Sequence, residues 1–255
     1  MKSISVEQAR RYVTALEVPA RERGWESFES VDFAFDAAKN QAMVVGSDIT
    51  SFVQGVTSEQ REDIVNSSLI AQLAAKKKVS DPTQIYDWYN VYFDVLSQIG
   101  WVIQDHGFAT YSESSAGFDA HEAILKVATA LLGPGATALA MVMATLDALK
   151  SMSSDSPWIT LFNRESQYAN TARFQVTLAE QIKDNQFLVS LMAFGLEAKR
   201  TLTQVLFFKL TSSEASLKHY SGKVTIDTHV LSSIRQDIKE RIAGFAKDYV
   251  RQLPI

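Results

Sequence analysis

Every residue between Lys126 and Asp147 is uncharged, and most of them are aliphatic. A Gly-Pro-Gly segment at 133–135 interrupts this stretch near its centre. Proline removes a backbone donor and clashes with the preceding helical turn, and glycine costs about 1 kcal/mol relative to alanine in a helix interior. The stretch therefore predicts two apolar helical arms joined by a tight turn, which together form a hairpin over residues 124–149.

The second arm of this hairpin has two faces of different size. One face carries small residues at a spacing of four, which we call the alanine face: Ala136, Ala140, Ala144 and Ala148. Another helix or a sheet can approach such a face closely. The other face carries larger aliphatic residues, namely Leu139, Val142, Leu146 and Leu149. Because a helix that is apolar nearly all round is buried in protein or lipid, we expect both faces to be covered.

Two environments fit the hairpin. Each arm has about 10 residues, shorter than the roughly 20 that span a bilayer, which favours a core hairpin of a soluble domain. The alternative is a hairpin that leaves a soluble fold and enters a bilayer. In either case the candidate residues for membrane or partner interaction lie at the turn and on the second arm. They are Leu131, Leu132, Gly133, Pro134, Gly135, Leu139, Ala140, Met141, Val142, Met143 and Leu146.

The composition is that of an ordinary globular protein, with 46% hydrophobic and 21% charged residues. A net charge of -4 gives no electrostatic signature of nucleic-acid binding, so no nucleic-acid partner is expected. The absence of cysteine excludes disulfides, thiolate catalysis and cysteine-ligated zinc. The first residues lack the apolar core of a secretory signal. We therefore expect a soluble protein that is cytoplasmic or exported without a standard signal peptide.

The order of the patterns predicts an α+β protein. Helical spacing dominates the N-terminal two-thirds, to about residue 168, and includes the buried apolar hairpin. Ser5 with Gln8 and Thr57 with Gln60 have the spacing of capping boxes that begin helices. We expect one compact domain over the whole chain, with sub-lobes at 1–168 and 169–255.

The last third of the chain predicts an antiparallel meander followed by a helix. Apolar and polar residues alternate in several runs between 172 and 227, as expected of strands. Ser221 and Gly222 lie between two such runs, as a tight hairpin turn would. From about 228 to 250, apolar residues recur at helical spacing on one face, and charges of both signs occupy the other.

Enzyme motifs are absent from the sequence. No nucleophile elbow, phosphate loop or dinucleotide fingerprint occurs. His121 and Glu122 resemble the first half of a zinc-protease helix, but Leu125 stands where the second histidine is needed. The four histidines (His106, His121, His219 and His229) are scattered along the chain. We therefore predict a protein that is not an enzyme, with no catalytic residue, no metal site and no cofactor.

Residues 125–149 resemble the concealed hydrophobic hairpins of bacterial membrane-acting toxins, in which a soluble fold shields an apolar element. The order of helices, hairpin, antiparallel sheet and closing helix also resembles compact single-domain cytolytic toxins and related virulence factors. This resemblance is one of architecture and carries no family motif, so no catalytic or binding residue is transferred. It implies a pore-forming or otherwise membrane-acting protein.

Two functions remain as alternatives from the sequence. The first is a bacterial toxin or virulence-type protein that interacts with membranes through the concealed hairpin at 124–149. Its partners would be a lipid membrane or partner protein components, with homo-oligomers forming on membranes. The second is a soluble, non-enzymatic α+β binding protein, or one component of a multi-protein complex, in which the hairpin is permanent core. Leakage of liposomes distinguishes the two.

Overall fold

The computed structural model describes residues 4–20, 33–104, 107–111, 117–182, 187–202, 205–206, 209–211 and 215–255. These residues form a mixed sheet with a helical layer on each face, and each interface has its own hydrophobic core. More of the described residues lie in helices than in strands. The predicted α+β class is confirmed.

Helices cover both faces of the sheet. The first layer contains α1 (Val6–Ala15), α2 (Ser58–Lys78), α3 (Ile85–Gln98) and α7 (Thr228–Ile242). The second layer contains α4 (Ala120–Leu132), α5 (Thr137–Ser151) and α6 (Pro157–Ser166). A short helix, α8 (Ala246–Tyr249), leads into the last strand.

Within the described residues the main sheet has nine strands, and its central path runs in the order β11-β1-β2-β7-β8-β10-β3. Two short strands lie beside this path, since β4 pairs with β10 and β6 pairs with β7, while β5 and β9 form a separate pair. The strands are β1 (Gln41–Val45), β2 (Asp48–Phe52), β3 (Trp101–Val102), β4 (Ala109–Thr110), β5 (Gly117–Asp119), β6 (Gln167–Tyr168), β7 (Thr171–Gln181), β8 (Phe187–Ala198), β9 (Lys209–Thr211), β10 (Ala215–Ile226) and β11 (Val250–Gln252).

The predicted meander is present as three long antiparallel strands, β7, β8 and β10. The predicted turn at Ser221 and Gly222 is wrong, because β10 continues through both residues and pairs with β8 along its length. A Cβ on Gly222 would lie 2.3 Å from the hydroxyl oxygen of Tyr220. The glycine therefore makes room for a side chain two positions earlier on the same face of the strand.

The sheet is larger than the predicted meander. The β1–β2 hairpin joins it through a parallel pairing of β2 with β7, which no local pattern in the sequence indicated.

The predicted C-terminal helix over about 228–250 is shorter than expected. Its regular part ends at Ile242, and Val250–Gln252 pairs with β1 at the sheet edge.

Two predicted helix starts are confirmed at atomic detail. In α1, the backbone N–H of Gln8 donates to the Ser5 hydroxyl at 3.3 Å, and the Ser5 N–H donates to the Gln8 side chain at 3.0 Å. In α2, Thr57 and Gln60 make the same reciprocal pair at 3.2 and 2.9 Å. Each capping box satisfies backbone donors that have no partner within the helix.

A buried polar cluster lies between α2 and the centre of the sheet. The carboxylate of Asp48, on β2, accepts hydrogen bonds from the hydroxyls of Ser68 at 2.8 Å and Thr177 at 2.9 Å. Gln72 accepts from the backbone and hydroxyl of Ser47 at 2.9 and 3.1 Å. These side chains connect α2 to β2 and β7 through a core that is otherwise apolar.

A fully buried arginine fixes the start of α2 to the β1–β2 region. Arg61 donates to the carbonyls of Val56 at 2.8 Å, Lys39 at 2.8 Å and Val53 at 3.3 Å. It also donates to the side-chain oxygen of Gln41 at 2.6 Å. The Arg61 side chain therefore connects the start of α2 to the segment before β1 and to the segment between β2 and α2.

Candidate functional site

The predicted hairpin is present as α4 and α5. The turn between them contains Gly133 with φ of +91° and Gly135 with φ of +77°. L-residues with a side chain rarely adopt these angles, so the two glycines permit the chain reversal on either side of Pro134. At the other end of the hairpin, Asp119 caps α4 by accepting from the backbone N–H of His121 at 2.9 Å.

The inner face of the hairpin packs on the sheet. Leu139, Val142 and Leu146 are 7%, 1% and 0% exposed, which confirms the prediction that they are buried. They belong to the core that also contains Phe174 and Phe194 of the sheet. The hydroxyls of Thr145 and Ser51 lie 3.0 Å apart and connect α5 to β2. The hairpin is therefore part of the folded core on one side.

The prediction that the alanine face contacts a neighbouring element holds for Ala136, which packs against the core between the hairpin and the sheet, and is wrong for Ala140 and Ala144. Ala140 and Ala144 are exposed, and Ala136 and Ala148 are partly exposed. The hairpin has one face on the sheet, and the larger aliphatic side chains take that face because their burial removes more apolar area from water. Ala140 and Ala144 therefore point away from the core.

This arrangement changes the expected effect of enlarging Ala140. Because its side chain is exposed, we expect Ala140→Leu to alter the free energy of unfolding by no more than about 0.5 kcal/mol. Ala138 is the matched control, since it is 2% exposed on the same helix, and Ala138→Leu should cost about 1–3 kcal/mol by overpacking. Urea unfolding measures both, and a large loss for Ala140→Leu alone would contradict the observed orientation of α5.

The hairpin presents an uncharged surface to solvent. Met143 is 43% exposed, which is unusual for a large apolar side chain in this protein. We use the name hairpin outer surface for the exposed or partly exposed uncharged residues at the turn and along the outside of α5. They are Ala130, Leu131, Leu132, Gly133, Pro134, Gly135, Ala136, Thr137, Ala140, Met143 and Ala144.

The predicted interaction residues divide between the two sides of the hairpin. Leu139, Met141, Val142 and Leu146 are buried against the sheet. The other predicted residues contribute to the hairpin outer surface: Leu131, Leu132, Gly133, Pro134, Gly135, Ala140 and Met143. Sequence reasoning missed Ala130, Thr137 and Ala144, although the spacing of the alanine face already included Ala144.

Charges begin at the base of the hairpin, away from the turn. Lys126 and Asp147 are exposed there, and Asp147 lies 3.7 Å from the imidazole of His121 on the other arm. This contact joins the start of α4 to the last turns of α5. The turn and the outside of α5 carry no charge between these positions.

None of the helices in the described part of the chain combines the length and the apolarity that a membrane crossing requires. The two arms of the hairpin comprise 13 and 15 residues, against the roughly 20 that span a bilayer.

The described histidines occupy three separate elements and form no common site. His121 is in α4, His219 in β10 and His229 in α7, while His106 lies outside the described residues. Burial lowers the pKa of His219 below its ordinary value. No group of three or more histidine, aspartate or glutamate side chains that could hold a metal ion occurs in the part of the chain that the structure describes.

Comparison with known proteins gives no family for this chain. No family model matches the sequence, and no curated protein matches it. Among solved structures, a delta-endotoxin aligns with a TM-score of 0.43 and 14% identity over 82% of this chain and 90% of that chain. The Evf virulence factor aligns with a TM-score of 0.36 and 9% identity over 81% of this chain and 84% of that chain. The weak, architecture-level resemblance to a toxin and a virulence factor is confirmed, and no residue role is taken from either protein.

Proposed function

We propose that this protein is a bacterial toxin or virulence-type protein that binds lipid membranes through the hairpin outer surface. The observation that carries this proposal is the exposed, uncharged area at the turn and on α5, which includes the 43%-exposed side chain of Met143. Its residues lie at one turn and along one side of a single helix, and exposed apolar residues gathered in one place are characteristic of interaction sites.

The chemistry of the surface favours a lipid interface over an electrostatic partner. Burial of apolar area contributes about 25 cal/mol per Å², and this surface has no charge to desolvate. The net charge of -4 gives no general attraction to anionic lipids. Binding should therefore depend on apolar contact at the boundary between headgroups and acyl chains and weaken little with added salt.

Binding at this surface needs no change in the fold, whereas membrane insertion does. The inner face of the hairpin shares a core with Phe174 and Phe194, and release would expose both sides of that interface to water. A bilayer shifts the hairpin to a released state only if it binds that state better than the docked state. We therefore propose two steps: binding by the docked hairpin, then release of α4 and α5 to permeabilise the membrane.

Sedimentation with large lipid vesicles tests the binding step. Met143→Asp places a charge in the middle of the hairpin outer surface and should weaken partition into vesicles at least about tenfold, which corresponds to about 1.4 kcal/mol. Ser232→Asp is the matched control, because it adds the same charge at an exposed site of α7 in the other helical layer. Equal partition of Met143→Asp and the wild-type protein would contradict the proposed surface.

A disulfide between the hairpin and the sheet tests the release step. The hydroxyls of Ser51 and Thr145 lie 3.0 Å apart, so Ser51→Cys with Thr145→Cys places two sulfurs within bonding reach in a chain that has no other cysteine. We expect the oxidised protein to bind vesicles without releasing an entrapped dye, and reduction to restore leakage. Equal leakage from the oxidised and reduced forms would show that the hairpin need not leave the sheet.

The alternative function is that of a non-enzymatic binding protein or a component of a multi-protein complex. The packing of the hairpin's inner face on the sheet favours it, because a permanent core element is packed in this way. Failure of the wild-type protein to bind vesicles of any lipid composition, between acid and neutral pH, would favour this alternative.

A further inference from the structure

The sulfur atoms of this chain are divided between the core and the surface. The sequence has six methionines and no cysteine, so thioethers are its only sulfur groups that an oxidant can attack. Met43, Met141 and Met192 are 1%, 4% and 0% exposed. Met152 is partly exposed, whereas Met143 is 43% exposed, the highest value among the methionines that the structure describes. An oxidant dissolved in water therefore has its best access to the Met143 sulfur.

Two methionines of α5 lie in opposite environments. Met141 and Met143 are two positions apart, and residues at that spacing do not face the same side of a helix. Met141 packs in the core between the hairpin and the sheet, whereas Met143 is on the hairpin outer surface. The two sulfurs therefore share one helix and differ in their access to solvent.

Met143 is the largest uncharged side chain on the exposed side of α5. The other exposed uncharged residues of that helix, Thr137, Ala140 and Ala144, are small. Oxidation of a methionine sulfur to the sulfoxide converts a flexible apolar side chain into a polar one. The sulfoxide oxygen accepts hydrogen bonds from water, and burying it without a partner in an apolar phase is costly. Oxidation at this position therefore opposes burial of the hairpin outer surface in lipid.

We propose that Met143 is an oxidation site whose state controls membrane binding by the hairpin outer surface, an inference that rests on the proposed function. The oxidant is hydrogen peroxide. A lone pair of the Met143 sulfur attacks one peroxide oxygen, so an S–O bond forms and the O–O bond breaks. The sulfur loses two electrons to the peroxide, and the departing hydroxide takes the proton of the transferred oxygen and becomes water. Methionine sulfoxide reductases reverse the change, so binding is lost on oxidation and restored on reduction.

Peptide mass spectrometry of the wild-type protein after mild peroxide treatment tests the modification. We expect Met143 to gain one oxygen at least about tenfold faster than Met141 and Met192, because a buried sulfur reacts only when the protein opens locally. Fragment ions distinguish Met141 from Met143 within one peptide. Equal rates at these two positions would overturn the assignment of Met143 as the oxidation site.

Sedimentation with lipid vesicles tests the consequence for binding. At a peroxide dose that oxidises Met143, partition of the wild-type protein should fall at least about threefold, because the sulfoxide resists burial. Treatment with the two sulfoxide reductases, one for each epimer at sulfur, should restore it. Met143→Leu removes the sulfur, and its treated sample should match its own untreated sample, whatever the starting partition. Met152→Leu is the matched control, since it removes the partly exposed methionine and should respond to peroxide as the wild-type protein does.

The outcomes separate the oxidation site from the membrane binding on which it rests. Unchanged partition after full oxidation of Met143, or an equal loss from Met143→Leu, would overturn the oxidation site and leave membrane binding in place. Failure of the untreated wild-type protein to bind vesicles would overturn membrane binding, and the oxidation site with it.

Discussion

Replacing Arg61 with alanine is expected to lower the free energy of unfolding by about 3–5 kcal/mol. The arginine side chain is fully buried and donates to four acceptors at 2.6 to 3.3 Å. Alanine would leave these acceptors without their donor, and each one that stays shielded from water costs about 1–3 kcal/mol. The substitution also leaves a cavity beside Phe52, since the guanidinium lies 5.4 Å from the centre of that ring.

Urea unfolding of the variant measures this effect. Arg11→Ala is the control, because Arg11 is an exposed arginine whose side chain is 71% accessible and whose contact with Glu7 spans 3.5 Å. The control should lose no more than about 0.5 kcal/mol. If Arg61→Ala also lost less than about 1 kcal/mol, water would be satisfying the four acceptors, and Arg61 would not hold the start of α2 in place.

Replacing Asp48 with asparagine is expected to stabilise the protein at pH 7 by as much as about 3 kcal/mol. Burial raises the pKa of the Asp48 carboxyl to about 6, although the hydroxyls of Ser68 and Thr177 favour the ionised form. The groups on α3 that face it are Tyr89 and Tyr92, and neither supplies positive charge. One carboxylate oxygen, Oδ1, has no hydrogen-bond partner among the described residues. An ionised Asp48 is therefore poorly compensated in this core.

The sign of the pH dependence follows from the raised pKa. Between about pH 4 and pH 6 the folded protein holds a proton on Asp48 that the unfolded chain has released. The contribution of Asp48 to stability is therefore greatest below this window, falls as the pH rises through it and stays constant above about pH 6. Asparagine does not ionise, so the variant should lack this part of the pH dependence.

Urea unfolding of both proteins at pH 4 and pH 7 tests this prediction. The two free energies of unfolding should be similar at pH 4, where the folded wild-type carboxyl is neutral, and should differ most at pH 7. The asparagine amide donates to the hydroxyl oxygens of Ser68 and Thr177, so the cluster keeps its contacts. A variant that is less stable than wild type by the same amount at both pH values would show that the carboxylate is needed as an acceptor.

Features specified by neighbouring residues were predictable from the sequence. The capping boxes of α1 and α2 involve residues three positions apart, and the Gly-Pro-Gly turn of the hairpin depends on local backbone preferences. The long strands of the meander also follow from a short-range pattern, because alternating side chains cover the two faces of a sheet.

Features specified by tertiary contacts were not predictable. Ser221 and Gly222 have the composition of a turn, but pairing with β8 keeps them in a strand. The parallel pairing of β2 with β7 joins segments more than a hundred positions apart, and nothing local in either strand indicates the other. Arg61 has the character of a surface residue of a helix, and only the folded chain surrounds it with carbonyls.

The candidate site was predictable in position and only partly in orientation. The uncharged stretch located the hairpin, and the large aliphatic residues of α5 correctly indicated a buried face. Both faces of α5 are apolar, so the sequence could not say that Ala140 and Met143 would be left exposed. The layer order of the fold decides that orientation, because nothing in the described residues covers the outside of α5.

The most direct test of the account is whether the hairpin outer surface contacts lipid. Because the chain has no cysteine, Met143→Cys carries a single environment-sensitive fluorophore on this surface, and Ser232→Cys carries it in the other helical layer. On addition of lipid vesicles, we predict a blue-shifted and brighter emission from the label at 143 and an unchanged emission from the label at 232. Unchanged emission at both positions, or equal shifts at both while the protein sediments with vesicles, would contradict membrane contact through the hairpin.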